Sequence, residues 1–295
     1  MNAPPAPVDP TARPDPRPDP WPDPWPDLWR GLVDDAAIFP PGDRPLDRAI
    51  AAFSARRQES YAALVGSFVL RETDVPLVRG FGGPLSIVVT GGAGQLAGPL
   101  AAAARLGLEV AGVEIAVRDH DDPVSNVRRI DAAARAADLD APLFVEIPGP
   151  VTAAWLAAAD EVAATGHRLK FRLGHVDHDL VPDAPTVAAW IDAALDRETP
   201  FKATAGLHRA VRHDPEGGGA HGFLNVMVAT QVLWDGGSLT DAGDALEQRD
   251  GAALAATDLP SARRWFTSFG SCSVSEPLDD LIALGLVSLA GTEHS

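Results

Sequence analysis

Cysteine, lysine and tyrosine are scarce in this chain of 295 residues. A single cysteine, Cys272, leaves no intramolecular disulfide and suits a reducing compartment. No apolar run is long enough to cross a bilayer, and the N-terminus shows neither the basic nor the apolar segment of a secretory signal. A cytoplasmic location is therefore expected. Positive charge is also in deficit: 24 Lys and Arg stand against 41 Asp and Glu, a net charge of -17. That balance repels phosphate backbones and anionic lipid, so neither nucleic acid nor a membrane surface is expected as a partner. The carboxylates are scattered and read as solubility. A hydrophobic fraction of 46% supplies ample core for one large domain, with homo-oligomers allowed.

The shortage of lysine is the most informative. Lys170 and Lys202 are the only two, and every other fixed cation is Arg. A coding bias exchanges Lys for Arg freely where only a solvated charge is needed. It does not where chemistry needs an amine that sheds its proton, because guanidinium stays charged.

Residues 1–30 are dominated by Pro and Asp with a Pro-Asp-Pro-Trp theme, a composition that favours polyproline II and builds no core. They read as a disordered tail, or as a docking peptide whose Trp21, Trp25 and Trp29 bind a partner or the chain's own barrel. From residue 31 to 295, short apolar runs alternate with helical patterns. The runs fall at Asp35–Phe39, Ala63–Leu70, Leu85–Thr90, Val110–Val117, Leu143–Ile147, Arg168–Leu173, Phe201–Ala205 and Phe266–Ser271. Eight strand–helix units over about 260 residues predict an α/β fold of the closed (β/α)8 (TIM) barrel type. An open doubly wound sheet would place a Gly-rich turn after its first strand, where this chain has Phe39-Pro-Pro41.

Active sites of such barrels lie at the C-terminal strand ends, on inward side chains. Alternation nominates Glu114 on strand four, Glu146 on five, Lys170 and Arg172 on six, and Lys202 and Thr204 on seven, with Gly206 and His208 beyond. Strand eight ends in Gly270-Ser-Cys-Ser273. Buried charges are costly unless paired, so a converging set is either a structural ion network or a site. An amine beside a second ammonium and partly desolvated attacks a carbonyl as the neutral form, and the iminium is an electron sink for an adjacent C–C bond. Glu114 or Glu146 would relay protons. No cofactor is required.

In this order the residues resemble deoxyribose-phosphate aldolase and related class I aldolases: Glu114, Val-Glu146-Ile, Lys170, Lys202 and Phe269-Gly-Ser-Cys-Ser273. The resemblance runs as short matches from about Leu85 to Leu284. It implies a lyase with Lys170 as the Schiff-base residue, Lys202 as the neighbour that lowers its pKa, and Glu114 as the proton relay. Ser271, Ser273, Gly174 and Gly206 would lie near a phosphate. The chain departs from the family at Glu114 (Asp there), at Arg172 (a small hydroxyl residue there) and at Ala203-Thr-Ala-Gly206 (a Gly pair there). Cys272 separates the serines. These departures point away from deoxyribose phosphate, and Arg172 with Arg209 or Arg212 suggests a small anionic carbonyl substrate. Phe39-Pro-Pro41 and Phe201-Lys-Ala-Thr-Ala-Gly-Leu-His208 also resemble a bacterial protein group that implies no activity.

Two other readings stand beside this one. A metal-dependent lyase or hydrolase would use His175, His178, His208, His213 or His221 with Asp177 or Glu146. A degenerate barrel would only bind. Three lesser candidates are Cys272 as nucleophile, the Gly91-Gly-Ala-Gly94 turn as an anion site, and His213–Gly219 as a lid with Asn225 facing the site.

Overall fold

Eight parallel strands close into a ring in chain order, each hydrogen-bonded to the next and the last returning to the first. The computed structural model describes residues 25–174, 181–214 and 219–289. The strands are β1 (Val33–Asp35), β2 (Val65–Arg71), β3 (Leu85–Val89), β4 (Val110–Ala116), β5 (Leu143–Glu146), β6 (Arg168–Arg172), β7 (Phe201–Thr204) and β8 (Phe266–Ser271). The fold is the (β/α)8 barrel expected from the alternation of elements.

The helices start where the sequence offers a cap. Asp122 accepts from the Ser125 amide before α3 (Pro123–Ala136), with Pro123 in the first turn, where a missing N–H costs nothing. Thr152 caps α4 (Ala153–Ala164), and Asp183 caps α5 (Ala184–Asp196). The remaining α-helices are α1 (Leu46–Arg56), α2 (Ala97–Leu106), α6 (Phe223–Trp234), α7 (Leu239–Glu247), α8 (Gly251–Ala255), α9 (Ala262–Trp265) and α10 (Ser275–Ala283). Gly107, in the left-handed conformation, ends α2. α6 is apolar nearly all round and is buried between the sheet and α7, whose Ser238–Asp241 capping box fixes its start.

Two boundaries differ from the sequence reading. β1 begins before Asp35 rather than at it, because the chain turns after the Ala36 amide bonds the Ser271 carbonyl at the end of β8. The short helical link expected in the β2–β3 connection is a 3-10 segment, Glu72–Leu77 with Pro76 inside. The division at residue 30 also places Trp25 and Trp29 in the tail, yet both are buried. The Trp25 indole donates to the Ser60 carbonyl at 2.7 Å, so this part of the Pro/Trp segment packs onto the barrel. The Arg263 guanidinium closes the same end, donating to the Phe266 and Thr267 carbonyls of β8 and to Arg30. Among the described residues no helix is long and apolar enough to cross a membrane.

Candidate active site at the barrel centre

Barrel interiors are usually filled by bulky branched side chains. Here the middle is polar. Small residues on several strands, Ser67, Ser86, Gly112 and Ser268, leave room for long charged side chains from others. Register then sets the neighbours: Glu146 pairs with Lys170, Lys170 with Lys202, and Lys202 with Ser268.

The result is a chain of alternating charge. Lys202 Nζ donates to Asp34 Oδ2 at 2.8 Å and to Glu114 Oε1 at 2.6 Å. The other Glu114 oxygen, Oε2, lies 2.9 Å from Lys170 Nζ, so one carboxylate bridges the two lysines. Lys170 Nζ is 3.2 Å from Glu146 Oε2, and the opposite oxygen of Glu146 accepts from Arg172 Nε at 2.8 Å. Lys170 and Lys202 are 4% and 1% exposed, whereas the Arg172 side chain is 46% exposed at the mouth. Three acids and three bases balance, which makes a buried set tolerable. The Phe144 ring lies 5.2 Å from Lys202 Nζ and completes the wall.

The ionisation states follow from this geometry. Burial alone would push the Glu114 carboxyl up, but the ammonium groups of Lys202 and Lys170 overcome it and bring its pKa to about 2. Burial would pull Lys202 down, yet Asp34 and Glu114 outweigh it and hold the amine above its ordinary value. Lys202 is therefore a fixed ammonium. Burial opposes ionisation of Glu146 as well, and Lys170 and Arg172 reverse it, so the net direction is downward.

Asp34 is the member that the sequence reading missed. Its Oδ1 accepts from Ser67 Oγ at 2.6 Å, and its Oδ2 from Ser268 Oγ at 2.7 Å as well as from Lys202. Ser67 and Ser86 hydroxyls are 2.8 Å apart and extend the floor. The signal was present: an acid doublet, Asp34-Asp35, inside an apolar run. A strand that starts at Asp35 leaves Asp34 outside it, whereas β1 runs Val33–Asp35. Asp35 serves elsewhere, with its carboxylate paired to Arg56 of α1 and bonded to the Ala37 amide.

The other expected residues lie around the mouth. Thr204 is the register partner of Arg172. Gly174 and Gly206 pack backbone to backbone, since a Cβ on Gly174 would lie 2.7 Å from Gly206 Cα. The Ser271 hydroxyl accepts from the Ser273 amide at 3.3 Å, and the Ser273 hydroxyl accepts from the Glu276 amide at 3.3 Å. His208 Nδ1 is 3.2 Å from Glu276 Oε2, with Cys272 Sγ 3.7 Å away. Burial, with Glu276 and Asp35 adding to it, raises the Cys272 pKa, so the thiol keeps its proton at neutral pH. That weakens the nucleophile reading.

Several secondary candidates resolve into structure. Arg209 pairs with Asp280 and Arg212 with Glu247. Asn225 does not face the site: it is fully buried, accepts from the Arg212 amide and donates to the Ala245 and Gln248 carbonyls. His221 is buried between the Pro182 carbonyl and Arg212, and burial lowers its pKa. His213 pairs with Ala220 in an antiparallel bridge. His175, Asp177 and His178 lie outside the described residues, as does most of the expected lid (215–218). Among the described residues no three His, Cys, Asp or Glu gather as a metal-binding group.

No protein-family model matches the chain, and no curated protein matches it.

Proposed function

We propose that this barrel is a lyase of the class I aldolase type, in which Lys170 forms a Schiff base with a small anionic carbonyl compound. One observation carries the proposal. The chain's only two lysines are buried side by side, in register on adjacent strands, and share a single carboxylate. An apolar filling would serve stability as well or better, so the cost of burying this set argues for chemistry. The fold alone supports only a general expectation of enzymatic activity.

The two lysines divide the work. Lys202, held by Asp34 and Glu114, is the deeper and permanently charged one, and it supplies positive potential beside the reacting centre. Lys170 lies toward the mouth with Glu146 and Arg172 and takes the nucleophilic role. Its amine passes a proton to a neighbouring carboxylate, Glu146 or Glu114, and attacks the carbonyl carbon. Loss of water gives the iminium. A neighbouring carboxylate takes the proton of the hydroxyl β to the iminium carbon, that fragment leaves as an aldehyde, and the electron pair of the broken Cα–Cβ bond enters the iminium to form an enamine. The same carboxylates return the proton to carbon, and water releases the product and regenerates the amine. Arg172, half exposed above the pair, favours a substrate with an anionic group near its carbonyl.

The test is borohydride trapping with a panel of aldehydes, ketones and 2-oxo acids, followed by peptide mass mapping. A substrate-dependent adduct is expected on Lys170 and absent from Lys170→Arg. An adduct on Lys202 instead would overturn the assignment of roles, and no adduct with any carbonyl would overturn the mechanism.

A further inference from the structure

The mouth of the barrel carries a second arginine that the lysine set does not use. Arg71 ends β2 and is in register with Val88 of β3, and Val88 with Glu114 of β4. Registered residues of parallel strands turn to the same side of the sheet, and Glu114 points inward to both lysines. Arg71 therefore belongs to the inner face. Ser67, of the same parity on β2, confirms it, since its hydroxyl bonds Asp34 inside the barrel. Phe68, of the opposite parity, packs outward on Phe53 of α1 and on Phe81.

The rest of the rim is small and uncharged. Its inward, solvent-reaching residues besides Arg71 and Arg172 are Ala36, Val88, Ala116 and Thr204. A Cβ on Gly270 would stand 3.6 Å from Thr204 Oγ1 and 3.9 Å from Ala36 Cβ, so these strand ends share one inner wall. β2 and β6 lie four positions apart in either direction around the ring, which sets the two arginines on opposite walls. Strand spacing and tilt put those walls about 15 Å apart, so long side chains reaching in from both leave room for a molecule of a few carbons. The two are held differently. Arg172 donates to Glu146. The Arg71 guanidinium makes no hydrogen bond among the described residues: it lies over the Phe39 ring, 4.7 Å from the centroid, and Asp74 Oδ2 is 3.9 Å away. A ring contact orients a guanidinium without using its N–H donors, and an ion pair that long and that exposed contributes little. Glu72, next in the chain, spends one oxygen on the Thr90 amide and hydroxyl. Three acids and three bases already balance at the barrel centre, so Arg71 is an added cation above them.

We propose that Arg71 is a specificity-determining residue and that the substrate is a dianion, with an anionic group at each end of a short carbon chain and the reacting carbonyl between them. Arg172 takes the group beside the carbonyl that Lys170 attacks, and Arg71 takes the far group through its free N–H fork. In the cleavage described above, the fragment kept as the enamine then holds the first anion, and the departing aldehyde carries the second. That division of the fragments rests on the Schiff-base reading, whereas the preference for a dianion does not.

The test uses the whole protein and acids that hold no aldehyde or ketone: succinate, glutarate and adipate against butyrate, by isothermal titration calorimetry. At least one of the dicarboxylates is expected to bind tenfold or more tighter than butyrate. Arg71→Gln should remove that preference and leave the butyrate affinity unchanged, which also shows that the variant is folded. Arg71→Lys, which keeps the charge without the fork, should retain part of it. Arg172→Gln should weaken both classes of acid. No dicarboxylate preferred over butyrate, a preference that survives Arg71→Gln, or no saturable binding of any of the four would each overturn the proposal. A preference lost in Arg71→Gln, together with a negative borohydride experiment, would support the dianion site and remove only the Schiff-base reading.

Discussion

Replacing Glu114 with Gln keeps the volume of the side chain and removes one charge from the middle of the barrel. Two ammonium groups then face each other with only Asp34 and Glu146 to balance them. Two routes give the magnitude. A carboxyl whose pKa falls from 4.5 to about 2 on folding contributes about 3 kcal/mol at neutral pH. Leaving a buried charge without its partner typically costs about 3–5 kcal/mol. The expected loss for Glu114→Gln is therefore about 3–5 kcal/mol at pH 7. The sign with pH follows from the lowered pKa. The contribution is present in full above 4.5 and is lost as the pH falls from there toward 2. At pH 3 roughly half of it is gone in the wild type, and the variant never had it. Urea unfolding of both proteins at pH 7 and pH 3, followed by circular dichroism, measures the gap. Carboxylates remote from this cluster are common to the two, so they cancel in the difference. A gap below about 1 kcal/mol at pH 7, or one that does not narrow at pH 3, would refute the description of Glu114 as a shared ionised bridge.

Two further outcomes are expected from packing alone. Trp25→Ala should cost about 3 kcal/mol, because it removes a buried ring and its bond to the Ser60 carbonyl, while Trp25→Phe should cost less. Urea midpoints equal to the wild type would show that this docking adds nothing to stability. Gly174→Ala should destabilise by about 2 kcal/mol or more, since its Cβ would meet Gly206 Cα at 2.7 Å and backbone must move. Gly94→Ala, with open space around its Cβ, should shift the melting temperature by no more than about a degree or two. Equal effects of the two glycine changes would contradict the close packing between the ends of β6 and β7.

Local pattern carried much of the fold. Each apolar run, bounded by turn residues and followed by a helical pattern, marks a strand that needs cover on its outer face, and eight of them in series leave few alternatives to a closed barrel. Charged residues inside those runs were legible too. Glu114, Glu146, Lys170 and Lys202 stand out because an apolar run makes each of them costly, and the rarity of lysine singles out the last two. Asp34 escaped for a local reason: β1 has only three residues, and its limits depend on β8 and β2 rather than on its own pattern. Docking of Trp25 and Trp29 on the barrel was legible only as one of two readings, because proline-rich composition hides what aromatic rings do once a barrel end is there to receive them.

What the sequence determined by itself is therefore the alternation of elements and the chemical types placed along them, since both depend on residues close together in the chain. Which lysine bridges to which carboxylate was decided only by tertiary structure. Lys202 meets Asp34 across 168 positions and Glu114 across 88, and no local pattern encodes contacts at that range. They arise when the ring closes and register brings the side chains into one buried volume. There, with water excluded, every charge must find its partner among the others.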